Sequence, residues 1–239
     1  MAPRRQLTEQ LRITPGAMVV AGLNLAFSLV YLLCDEATRA QFASYVVASP
    51  STVFEQGHVW AVVTTIFFEN RMIQLIINLF VLWAFLPTLE RFWGTARFYR
   101  FFAITSLIGV AAGLVCGLAT GRDFPIYGLS PFILAAIVAF GVIYARQPVQ
   151  FFGVLPLTGR QLMYGFLAVE ALATLLGGQW EMGAAYLAAC IAAAVITSKR
   201  WSPSLAWKKW RIARARARLS VIEGGAKPRT KKRDEGYLN

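Results

Sequence analysis

The chain has 239 residues, 57% hydrophobic and only 15% charged, with 24 Lys and Arg against 12 Asp and Glu. Soluble domains carry about 25% charged residues, so a soluble core this apolar would lack the polar surface to cover it. Disorder is excluded too, because it requires low hydrophobicity. The net charge of +12 points to nucleic acid or a membrane surface, depending on where the charges sit.

Residues 1–16 form a basic leading segment with Arg4, Arg5 and Arg12. Six apolar blocks follow: Ala17–Leu33, Met72–Leu89, Phe98–Ala119, Ser130–Ala145, Gln161–Gly177 and Met182–Ser198. Each is near the ~17–25 residues needed to cross the hydrocarbon core. They predict an all-α membrane domain of six spans over 17–198. Span one lacks a small-x-small cleavage signature before Cys34, so it is read as an uncleaved anchor. The first loop, 34–71, is too long for a structureless link and is expected to carry short helices at the outer surface. Its run Val59–Phe68 is too short to span and fits an interfacial or re-entrant segment.

Charges order the topology. The first loop is acidic, with Asp35, Glu36, Glu55 and Glu69 against Arg39; Glu90, Arg91, Arg97 and Arg100 lie between spans two and three, and Arg146 and Arg160 between spans four and five. Positive and non-positive links alternate in step with six crossings, which predicts a multi-pass protein with both termini cytoplasmic. The tail, 199–239, holds 13 of the basic residues against three acidic ones, with Trp201, Trp207 and Trp210 among them. Basic residues and tryptophans directly after a last span predict a cytoplasmic tail on anionic lipid. No nucleic-acid motif accompanies it, so nucleic acid is not an expected partner. Cys34, Cys116 and Cys190 are isolated and show no metal or redox spacing. No metal or cofactor is expected. The six blocks show no internal repeat, which weakens a transporter reading.

Polar groups inside a bilayer are costly and demand a reason. Ser130, Tyr186, Gln74, Asn78 and Glu170 fall within ~10 Å of the outer interface at 1.5 Å per residue. Gln74 and Asn78, four apart, share one helix face. Four helices can therefore feed one shallow polar layer. Plainer readings stand beside this one. Ser130 before Pro131 fits a helix cap, Gln74 and Asn78 fit interhelical packing, Tyr186 fits an interfacial anchor, and Glu170 fits a protonated or outward-reaching side chain. Small residues at spacings of four in spans four and six, including Ala135, Ala139, Ala185 and Ala189, predict that these spans pack closely.

These segments resemble the rhomboid family of intramembrane serine proteases. The likeness rests on Gly57-His58-Val59-Trp60 with Thr64 and Phe67, on Asn78, on Glu90 with Gly94, on Gly128-Leu129-Ser130 and on Ala185-Tyr186-Leu187. It covers roughly residues 15–198. It implies a six-span bundle with Ser130 at the nucleophile position and Asn78 and Gln74 at the oxyanion-binding positions. Tyr186 stands where the family has its base histidine, Gln74 where it has a second histidine, and Pro131 where it has glycine. A serine hydroxyl is a weak nucleophile without an adjacent base, and a neutral phenol of pKa ~10 does not serve near pH 7. The resemblance therefore implies a catalytically impaired pseudoprotease that binds transmembrane segments of client proteins. The alternative is an active serine endopeptidase with an atypical base, His58 or Glu170 being the candidates. A transporter is a weaker third reading. The expected location is a bacterial plasma membrane.

Overall fold

The computed structural model describes residues 14–151 and 155–198, together with positions 211 and 214. The leading segment up to residue 13 and nearly all of the basic tail lie outside the described residues. The chain divides into two units, Met1–Arg200 and Trp201–Asn239. In the second, Arg211 and Arg214 are helical and exposed.

The first unit is mainly helical. Helix α1 (Pro15–Leu33) is followed by α2 (Glu36–Val46), a π-helical turn at Ser51–Glu55, the short α3 (Ala61–Thr64) and a 3-10 turn at Thr65–Phe67. The long helices α4 (Met72–Trp93) and α5 (Thr95–Thr120) come next, then α6 (Ser130–Ile143). Strands β1 (Pro148–Phe151) and β2 (Leu155–Thr158) pair antiparallel before α7 (Gly159–Gly177) and α8 (Trp180–Thr197). Each predicted span is thus a helix, with ends displaced by a few residues. The hairpin is an addition to the all-α expectation.

Among the described residues four helices, α1, α4, α5 and α8, are long and apolar enough to cross a membrane. Helix α6 is apolar but has 14 residues, about 21 Å at 1.5 Å per residue, against ~30 Å of hydrocarbon. Helix α7 has 19 residues but carries Arg160, Gln161 and Glu170.

Helix α6 is the axis of the bundle. It packs against α4, α5, α7 and α8, and Ser130 through Gly141 are all buried. A helix that is apolar all round belongs in the middle. Helix α8 packs closely on both α5 and α6, as its alanine stripe predicts: Ala185, Ala189 and Ala193 are fully buried. Gly109 and Gly113 of α5 permit this approach, because a Cβ at either would lie 3.1–3.2 Å from a backbone oxygen of α8 or nearer to other atoms.

Loop one is a packed element. Helix α2 is capped by Asp35, which accepts from the Thr38 backbone. The Val59–Phe68 run is tucked under the protein: Ala61, Thr65, Ile66 and Phe68 are buried, while Val59, Trp60 and Val63 stay exposed. Polar residues of α1 hold its end in place. Asn24 Nδ2 donates to the Phe67 carbonyl at 3.2 Å, Ser28 Oγ donates to the same carbonyl, and the Glu69 N–H donates to Ser28 Oγ at 3.1 Å.

Candidate functional site

The segment entering α6 is stitched to loop one. The Ile126 N–H donates to the Ala48 carbonyl at 2.7 Å, the Gly128 N–H to the Thr65 carbonyl at 3.0 Å, and the Thr65 hydroxyl to the Ile126 carbonyl. Gly128 has φ +93° and sits directly over the Glu69 carboxylate, where a Cβ would lie 2.6 Å from Oε1. Both facts require glycine. Leu129 precedes the helix in αR geometry with no side-chain cap bond. Ser130 is therefore the first residue of α6 and does not cap it, which removes the capping explanation for this serine.

The side chains of α4, α6 and α8 meet here. Gln74 Nε2 donates to Asn78 Oδ1 at 3.1 Å and to Ser130 Oγ at 3.4 Å. Asn78, 2% exposed, donates through Nδ2 to Glu69 Oε1 at 2.6 Å. The Tyr186 hydroxyl faces Ser130, and its ring packs on the hydrophobic core. An interfacial anchor would point outward, so that simpler reading of Tyr186 does not describe it. Glu170 of α7 is half-buried and lies within electrostatic reach of Tyr186. The structure thus brings together Ser130, Gln74, Asn78 and Tyr186, with Glu170 at the edge.

By sequence alone Glu69 is one of the acidic charges of loop one. It is 1% exposed. Its Oε1 accepts both from Asn78 and from the Leu129 backbone N–H, the latter at 2.9 Å. Burial pushes its carboxyl up to about 7, while these two donors pull the other way. Its nine-residue distance from Asn78, directly after the apolar Ile66–Phe68, was the available hint.

His58 has its partners within loop one. Its ring stacks between Tyr45 and Trp60, and Nδ1 faces the Ser44 carbonyl at 3.3 Å. Ser130 has an amide and a phenol as neighbours. Among the described residues no group of three or more His, Cys, Asp or Glu could hold a metal. A cavity of about 240 Å³ lies between α1, loop one and the segment entering α6, lined by Tyr31, Val47, Phe68, Asn70 and Tyr127 among others.

An apolar bundle of helices with a buried polar node defines an integral membrane protein. The family model described as "Eukaryotic integral membrane protein (DUF1751)" matches residues 18–198, and the chain belongs to that family. No curated protein matches the chain. The family's description as eukaryotic overturns the expected bacterial plasma membrane, while the integral-membrane assignment stands. Charge and hydropathy patterns report that a chain is in a membrane and carry no mark separating a bacterial membrane from a eukaryotic one.

Proposed function

We propose that this protein is a rhomboid-like, six-span pseudoprotease that binds transmembrane segments of client proteins beside Ser130. The observation carrying this reading is the company Ser130 keeps: the Gln74 amide, the Tyr186 phenol and no imidazole. Nucleophilic serine needs a base that takes its proton, and a phenol with an ordinary pKa of ~10 is protonated at neutral pH. The polar node nevertheless offers donors and acceptors that a passing helix can use in place of water. Helix α4 and helix α7 approach through Phe85 and Phe166, whose rings lie 6.2 Å apart, and a client entering between them would meet Gln74 and Glu170. The basic tail is proposed to bind anionic lipid.

The second reading is an active serine endopeptidase with Glu170, half-buried on α7, as its atypical base. The two are separated with full-length protein in lipid, a fluorophosphonate reagent and a transmembrane substrate. The pseudoprotease reading expects neither labelling nor cleavage, and a photocrosslinker at Gln74 is expected to capture transmembrane segments that one at lipid-facing Val115 does not. Labelling or cleavage that disappears in Ser130→Ala would overturn it.

A further inference from the structure

An oxyanion formed at Ser130 would need N–H donors aimed at it from about 2.7–3.1 Å. By the resemblance, Asn78 supplies one of them, and the Leu129 N–H at the start of α6, one residue before Ser130, is placed to supply another. Both are already engaged. Asn78 Nδ2 and the Leu129 N–H converge on one atom, Glu69 Oε1, at 2.6 and 2.9 Å. Asn78 has no freedom to turn away, since its Oδ1 accepts from Gln74. A carboxylate oxygen has the charge and acceptor capacity of an oxyanion, and it lies at the N-terminal end of α6, where the helix dipole favours negative charge.

We propose that Glu69 is the resident anion of this site: its carboxylate fills the Asn78 and Leu129 donors, so the chain closes its own oxyanion position. The site is then shut twice over, once by the missing base and once by an occupant. Gly128, lying against that carboxylate, is the space made for it. The role of the donors rests on the rhomboid-like reading. Their engagement by Glu69 does not.

The occupant is tested in client-free, full-length protein in detergent at pH 8, above the point to which burial raises this carboxyl. Amide signals are followed after 15N labelling of leucine and asparagine. Replacing a charged acceptor by a neutral or absent one weakens a hydrogen bond. The Leu129 N–H and Asn78 side-chain signals are therefore expected to move upfield in both Glu69→Ala and Glu69→Gln. Formate at ~100 mM is expected to return them in Glu69→Ala and to raise its Tm by about 3 °C, with no effect on wild type. It should do nothing in Glu69→Gln, where the space remains filled. Signals that stay put in Glu69→Gln would overturn the proposal even if Glu69→Ala does not fold. So would formate acting equally on wild type and Glu69→Ala, or failing to act on a folded Glu69→Ala. A failure of client capture would leave these results intact, so the two readings fall separately.

Discussion

Glu69 behaves as a buried acid, and its stability signature has a definite sign. Its carboxyl is raised from 4.5 to about 7, chiefly by burial. Between those values the folded chain keeps a proton that the unfolded chain has lost. Stability therefore falls as pH rises from about 4.5 to 7 and levels off above, by about 3 kcal/mol at 1.36 kcal/mol per unit. Thermal unfolding in detergent is expected to give a higher Tm at pH 5 than at pH 8, and Glu69→Gln is expected to remove most of that difference. Sequence reading found Gln74 and Asn78 because a spacing of four puts them on one helix face, and found Ser130 and Tyr186 through their intramembrane position. Glu69 is not legible in the same way, because charges in loops are solvated as a rule and only the folded loop turns this one inward.

The helices were legible because lipid demands long apolar runs and water demands that they stop. Their ends were less so, since these depend on particular residues: Gly94, Gly121 and Gly178 adopt positive φ at three helix ends, and Thr158 with Gln161 forms a capping box that starts α7 two residues early. The hairpin before α7 was illegible, since four-residue strands leave little periodicity in a short link. Helix α1 shows a contact that no local pattern predicts. Its first N–H groups, at Gly16 and Ala17, donate to the two carboxylate oxygens of Glu90 on α4 at 3.0 and 2.8 Å, and Thr95 donates to the same carboxylate at 2.8 Å. Gly16 leaves the room, because a Cβ there would lie 2.7 Å from Glu90. A helix N-terminus leaves such donors orphaned unless a partner takes them, and a charged acceptor is the strong choice. Glu90→Ala is expected to destabilise the protein by about 2 kcal/mol. Limited proteolysis should then release α1 first, whereas Glu90→Gln, which keeps an acceptor, should lose less.

At the scale of the molecule, the open quantity is the number of crossings, and α6 decides it. Four helices among the described residues qualify by length and hydropathy. Helix α6 does not, yet it is buried against four neighbours. A helix sheltered by protein on every side has no need to match the bilayer by itself, since irregular backbone at membrane depth is tolerated where protein surrounds it. In the six-span proposal a short central helix also puts Ser130 below one membrane face, where water would reach the polar node. The proposal follows from the burial of α6 and from the charge alternation, and Gln147, exposed between α6 and β1, separates it from a four-span arrangement. With six crossings Gln147 shares a side with Thr95; with four it shares a side with Asp35, Arg122 and Gln179. All five positions are exposed. Single-cysteine variants at each, in a background with Cys34, Cys116 and Cys190 replaced, would be treated with an impermeant thiol reagent in sealed vesicles. Gln147→Cys and Thr95→Cys are expected to react together, and Asp35→Cys, Arg122→Cys and Gln179→Cys together from the opposite side. Labelling of Gln147→Cys with the second group would leave α6 and α7 on one side and the bundle with four spans.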